Sequence, residues 1–244
     1  MKGDDMAQGS NAKATGRLAG LAYLTIIVCS SFGYLTLAGL LRGAPGVVLS
    51  NLAMRPTLFT VAWAAGVIGL VAWIVVGLLI YRLTSPAGRI AGLALLLFVA
   101  AGVAMNLAAF AQLLPLVGQA GSGMDAARLA PMVAKYNRIL ELAQVFSGLW
   151  LFPFGWLVFR TRIAPRFLGV CLMLGGFGYL SIFANALVPG LDQIAAYRWA
   201  GAPFRVAVFI GEAGICLWLL IMGAREPSAG GEPRVKLSMA TSRT

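Results

Sequence analysis

Gly155-Trp156-Leu157-Val158-Phe159-Arg160-Thr161-Arg162-Ile163-Ala164-Pro165-Arg166-Phe167-Leu168-Gly169 is the stretch that decides the fold. One apolar run ends on an aromatic residue and an arginine. A short basic turn carrying a proline follows, and a second apolar run begins at once. Read outward, the two runs are Ile139–Phe159 and Phe167–Val188. Each has about the 20 residues that a helix needs to cross about 30 Å of hydrocarbon. Four more runs of this kind precede or follow: Leu18–Leu41, Thr57–Tyr81, Ile90–Val117 and Val206–Ala224. The only charges inside the six are Glu141 and Glu212. Lipid offers no hydrogen bonds to a backbone, so each run must satisfy its own as a helix. No ten-residue alternation points to a β-barrel. The expected fold is an all-α bundle of six transmembrane helices over residues 17–224.

Composition leads to the same class. Of 244 residues, 60% are hydrophobic and 11% charged, where soluble domains carry roughly 25% charged residues. A soluble globular protein, a disordered chain and a fibrous repeat are excluded. The charge balance is +11, from 19 Lys and Arg against 8 Asp and Glu. The basic residues stand singly or in pairs at the ends of apolar runs and form no stripe. They read as contacts to anionic lipid headgroups rather than to nucleic acid. The flanking segments, residues 1–16 and 225–244, are polar and rich in Gly, Ser and Pro, and are expected to be disordered tails. The polar lead up to Arg17 does not read as a cleavable signal peptide. Cys29, Cys171 and Cys216 lie inside apolar runs without ligand spacing and read as small buried residues.

Sidedness follows from the loops. The tails and the turns Arg82–Arg89 and Arg160–Arg166 hold twelve of the 19 basic residues. The two turns carry five Arg and no acid. The positive-inside rule puts them in the cytoplasm with both termini, giving a multi-pass protein of the inner membrane, N-in and C-in. On the other side, Asp125–Arg138 reads either as a short surface helix interrupted at Pro131 or as coil.

Three helices open alike: Arg17-Leu18-Ala19-Gly20, Arg89-Ile90-Ala91-Gly92 and Arg166-Phe167-Leu168-Gly169. These arginines are 72 and then 77 positions apart. With Arg82 and Arg160, which close the preceding helices, they form a set of membrane-interface anchors that snorkel to phosphate. Two readings stand: three copies of a two-helix hairpin, or a demand common to every helix entering from the basic side.

Several of these stretches resemble a family of bacterial membrane proteins known as domain of unknown function 4386. They are Arg17-Leu18-Ala19-Gly20-Leu21-Ala22-Tyr23-Leu24, the Gly155–Gly169 stretch continuing to Gly175-Gly176-Phe177-Gly178-Tyr179-Leu180, and Gly211-Glu212-Ala213 with Leu217-Trp218-Leu219-Leu220. The resemblance implies a multi-helix inner-membrane protein. It implies no activity, so no catalytic residue is carried over.

A charge at mid-bilayer costs roughly 2.5–3.5 kcal/mol on insertion scales and so turns toward the bundle interior. With the helices oriented as above, Glu212, Glu141, Asn106, Gln144 and Asn185 all lie between the midplane and the outer face. They are candidates for one outward-facing polar cavity, in which Glu212 would carry a proton or bind a cation. The alternative is interhelical hydrogen bonding that holds the bundle together, at ~0.6 kcal/mol per bond, with Arg138 pairing to Glu141. Pro153 deprives the Leu149 carbonyl of its donor, which makes either a hinge or a static kink.

Much chemistry lacks its residues. His is absent, so histidine metal sites, bis-histidine haem and histidine bases have no ligands. The four lysines, Lys2, Lys13, Lys135 and Lys236, all lie outside the apolar runs, which excludes a retinal Schiff base. No GxSxG occurs, and Gly121-Ser122-Gly123 lacks the phosphate-loop spacing. The sequence reads as a non-enzymatic structural or regulatory membrane component with no cofactor. The alternative is a small transporter built around Glu212.

Overall fold

Proline and glycine punctuate this chain more than capping side chains do. The computed structural model describes residues 2–117, 125–188 and 190–225, and side chains from Asn11 onward. Every regular element among the described residues is helical. Helix α1 (Lys2–Thr25) continues through a π-helical segment, Ile26–Ser30, into α2 (Ser31–Leu40). A short helix α3 (Pro45–Met54) starts on a proline, whose missing N–H costs nothing in a first turn. Then come α4 (Pro56–Gln112), α5 (Ala126–Leu149), α6 (Leu151–Thr161), α7 (Arg166–Leu187) and α8 (Ala195–Met222).

Five continuous helical stretches are long and apolar enough to cross a membrane: Asn11–Leu40, Pro56–Gln112, Ala126–Thr161, Arg166–Leu187 and Ala195–Met222. The 57 residues of α4 would reach about 85 Å if straight, far beyond the thickness of a bilayer. They do not run straight. Gly88 has a non-helical backbone (φ −165°, ψ 57°) and Pro86 precedes it. Beyond that point the chain returns along itself: a Cβ on Gly92 would lie 2.7 Å from the Tyr81 ring, and one on Gly102 would lie 2.6 Å from Trp73. The helix is therefore two antiparallel arms, residues 56–87 and 89–112.

The other helices pack in the same close, antiparallel way. A Cβ on Gly169 would lie 2.6 Å from the Gly155 carbonyl oxygen, and one on Gly148 would lie 2.7 Å from that of Gly176. The two contacts are seven positions apart on each helix, Gly148 and Gly155 on one side and Gly169 and Gly176 on the other, so one glycine face is used twice. A Cβ on Gly211 would lie 2.9 Å from the Leu172 backbone nitrogen, which shows how closely α7 and α8 approach. A Cβ on Gly223 would lie 2.7 Å from the Lys13 carbonyl oxygen, so the end of α8 packs on α1. Without a hydrophobic force between helices in lipid, such backbone proximity is what makes van der Waals packing strong.

Several boundaries differ from those read in the sequence. Residues 2–16, expected to be a disordered tail, are the first turns of α1. Ala12 packs against the core and Gly16 docks against the Gly223–Ala224 backbone, which extends the helix backward. Of the other expected tail, only Arg225 is described. The connection between α2 and α4 contains α3. Helix α5 begins at Ala126 rather than Ile139, because Asp125 caps it by accepting the Arg128 backbone N–H at 2.8 Å. Pro131 lies inside its second turn and leaves the Ala127 carbonyl without the usual N–H donor, yet the helix continues through it. Helix α8 begins at Ala195 rather than Val206 and continues through Pro203. The break at Trp150 between α5 and α6 lies one turn before Pro153, where the proline removes a donor.

Candidate functional site

Two part-buried polar pairs link helices across the bundle. The first joins α7 to α8. The Tyr179 hydroxyl donates to both carboxylate oxygens of Glu212, at 3.3 Å each. Tyr23 of α1 lies within electrostatic range of that carboxylate, of Tyr179 and of Cys216. The Cys216 thiol donates to the Gly20 carbonyl at 3.6 Å, tying α8 to α1. Tyr23 is buried, and its hydroxyl finds no hydrogen-bond partner among the described residues. Its ring stacks on Trp150 and Phe154, with centroids 6.0 and 6.3 Å away, and Trp73 meets Trp150 edge-on at 5.5 Å. A carboxyl group, a phenol bonded to it and a second phenol without a partner can hold and exchange one proton. They can equally serve to pin three helices.

The second pair joins α2 to the returning arm of α4. Asn106 is buried; it donates to the Gly102 carbonyl at 2.8 Å and accepts the Tyr34 hydroxyl at 3.0 Å. Nearby, Trp63 donates to the Phe110 carbonyl at 3.0 Å, and Phe110 lies edge-on to Tyr34, Trp63 and Tyr136.

The structure gives the five polar residues singled out in the sequence separate partners. Glu212 and Asn106 belong to the two pairs above. Glu141 is exposed and faces Arg138 at 3.9 Å, while Arg138 also donates to the Ala186 carbonyl. Gln144 donates to Leu140 within its own helix at 3.5 Å. Asn185 accepts the Asp192 backbone N–H at 3.1 Å and so caps a turn beyond α7. A cavity of about 380 Å³ at the same end as Glu141 lies between α3 and α5, lined by Leu41, Arg42, Val48, Leu129 and Asn137 among others. None of the five lines it. Sequence reasoning missed Tyr34, Tyr179 and Tyr23. The available signal was a tyrosine inside an apolar run, whose hydroxyl needs a partner once buried.

The anchoring arginines gather at the opposite end. Gly88 packs on Leu157 and Trp156, the Arg225 backbone donates to Ile163 at 2.9 Å, and Arg17 donates to the Ile221 carbonyl at 3.4 Å. These contacts bring the Arg82–Arg89 and Arg160–Arg166 turns to one end with the start of the first long helix and the end of α8. Arg160 lies over Trp156, Arg166 over Phe159 and Arg225 over Trp218, at 5.1, 5.0 and 4.7 Å. The residue after each of Arg17, Arg89 and Arg166 is apolar and exposed: Leu18 at 53%, Ile90 at 86% and Phe167 at 60%. A cation followed by an outward apolar side chain suits the boundary between headgroups and hydrocarbon.

Long apolar helices, glycine-tight packing and a collar of arginines at one end define an all-helical protein built to cross a membrane. The chain belongs to the family described as domain of unknown function DUF4386, which matches residues 18–223. It is also similar to an uncharacterised protein of Archaeoglobus fulgidus, at 26% identity over 98 residues, which are 40% of this chain. That match spans about half of the relative, 54% of its length. No solved structure matches.

Proposed function

We propose that the protein is a six-pass component of the inner membrane, with both termini and both basic turns in the cytoplasm. We infer that it acts as a non-enzymatic structural or regulatory element rather than as a permease. The observation that carries this reading is the pairing of Glu212 with Tyr179 between closely packed helices. A transport pathway would favour polar side chains converging on shared space. Here Asn106, Gln144, Asn185 and Glu141 each have a partner of their own. The arginine-rich end supports the sidedness, since cytoplasmic loops carry the excess of Lys and Arg.

Proton flux into liposomes bearing the purified protein, followed with an enclosed pH dye, tests the functional half. Wild type and Glu212→Gln are expected to match protein-free liposomes. Flux through the wild type that Glu212→Gln abolishes would transfer the reading to a small permease. For sidedness, Ser85→Cys is placed in a chain whose three native cysteines have been replaced. Labelling by an impermeant maleimide is expected only after cells are permeabilised. Labelling of intact cells would invert the orientation.

A further inference from the structure

We propose that the groove between α1 and the first arm of α4 is a binding site for an anionic glycerophospholipid. One acyl chain would lie in the groove, with the phosphate between Arg17 and Arg82. The inference rests on the chain lying in a membrane and on nothing else in the proposed function.

The groove has a volume of about 380 Å³ and is walled by Leu18, Leu21 and Thr25 on one side and by Ile68, Ala72 and Val75 on the other, with their neighbours. Its single polar wall residue is already satisfied, because the Thr25 hydroxyl donates to the Leu21 carbonyl of its own helix at 3.0 Å. What remains is an apolar slot, suited to a hydrocarbon chain and to nothing that needs hydrogen bonds. Its volume falls within the ordinary range of ligand sites, about 300–1,000 Å³.

Charge marks one end of this slot. Arg82 lies seven residues beyond Val75 and fourteen beyond Ile68, two and four helical turns along the same stripe. Arg17 precedes Leu18 and lies one turn before Leu21 on the facing wall. The two helices are antiparallel, since Gly33 meets Gly66 and Ser30 meets Gly69. That register brings residues 17 and 82 to the same end of the groove. Both arginines are exposed. Among the side chains described, those from Asn11 onward, no carboxylate lies at this end: Asp125, Glu141 and Asp192 belong to the other, and Glu212 pairs with Tyr179 between α7 and α8; Asp4 and Asp5 lie three turns or more before Arg17 on α1. Two exposed guanidiniums at the mouth of an apolar slot match a phosphodiester with an acyl tail; Arg17 also donates to the Ile221 carbonyl at 3.4 Å, which leaves its other N–H groups for phosphate.

The test uses the full chain in a neutral detergent, with bound lipid counted by native mass spectrometry. Dioleoyl phosphatidylglycerol and dioleoyl phosphatidylcholine are titrated separately. Wild type is expected to retain the anionic lipid at least about fivefold more strongly, the equivalent of the ~1 kcal/mol that one cation contributes near an anionic lipid surface. Arg82→Gln should lower retention of phosphatidylglycerol by about the same factor and leave phosphatidylcholine unchanged. Arg128→Gln, an exposed arginine at the other end, should change neither. Ala22→Phe, which fills the slot, should lower both. Equal retention of the two lipids by wild type would overturn the site, as would an Arg82→Gln protein that behaves like wild type or like Arg128→Gln. If Ala22→Phe loses its helicity by circular dichroism, the arginine variants decide alone. Recovery of the chain in the aqueous fraction without detergent would instead defeat the membrane reading itself.

Discussion

The hydroxyl of Tyr179 is the sole hydrogen-bond donor to Glu212 among the described residues, and it serves both carboxylate oxygens at once. Tyr179→Phe would leave the carboxyl group without a partner inside the bundle. Stranding a buried polar group costs about 1–3 kcal/mol, while replacing both partners with apolar groups of similar shape is nearly neutral. We therefore expect Tyr179→Phe to destabilise the purified protein by more than the ~0.6 kcal/mol of an average bond between membrane helices. The double variant Tyr179→Phe/Glu212→Leu should recover part of the loss. Reversible unfolding in mixed micelles measures both. Strictly additive effects would mean that the two side chains do not support one another.

The Gly155–Gly169 crossing gives a second expectation. Each glycine takes up the space in which the other's side chain would stand, and the obstructing atom is a backbone carbonyl that cannot rotate away. Gly169→Ala therefore forces α6 and α7 apart. Overpacking of this kind typically costs about 1–3 kcal/mol. Gly39 offers the internal contrast: it lies within α2 with nothing within 4 Å of its ideal Cβ. Gly39→Ala should stabilise by about 0.5–1 kcal/mol, because glycine is a poor interior helix residue. The same unfolding assay should move in opposite directions for the two substitutions. Parallel shifts would show that close helix approach is not what holds α6 to α7.

The helical class was legible because lipid removes every alternative to internal backbone hydrogen bonding. Twenty apolar residues without a charge leave little choice, and Arg160-Thr161-Arg162 followed by Pro165 marks a turn. The repeated arginine-apolar openings likewise announced the collar that the structure gathers at one end. Hydropathy gave poorer guidance at the boundaries of the end opposite the arginine collar. Ala126–Arg138 and Ala195–Arg205 are too polar to read as spans, yet they continue α5 and α8 as helix, since a helix need not end where lipid does. The π-helical segment at Ile26–Ser30 had no sequence signal at all. The polar residues were recognised individually, while their hydrogen-bond partners were not. Depth along a helix can be read from residue number, whereas lateral position depends on which helices are neighbours. Asn106 and Glu212 were assigned to one layer, and each found a tyrosine on a different helix.

The Tyr34–Asn106 bond provides a test of that separation. Residues that share no partner and lie apart have additive effects on stability, to within ≈ 0.3–0.5 kcal/mol. Tyr34→Phe and Tyr179→Phe act on separate pairs, one joining α2 to α4 and the other joining α7 to α8. Their combined destabilisation should therefore equal the sum of the two. A clear departure would indicate that the pairs communicate, as they would if all these side chains lined one cavity.

Arg162 is the one non-glycine residue with positive φ among those described, at 58°, and it caps α6 by donating its backbone N–H to Val158 at 3.0 Å. Helices commonly end this way with glycine, since a Cβ in the left-handed region crowds the following carbonyl. The penalty for an ordinary L-residue is about 1–2 kcal/mol. A bare Arg162→Gly comparison would mix relief of that penalty with the loss of a basic-turn charge. Setting Arg162→Gly against Arg162→Ala removes the charge from both and leaves the backbone as the difference. The glycine variant should be more stable than the alanine variant by about 1–2 kcal/mol. In the cysteine-labelling assay both should keep the orientation of wild type, because Arg160 and Arg166 remain in the same turn. Equal stability of the two would show that the turn relaxes away from the left-handed conformation once the arginine is gone.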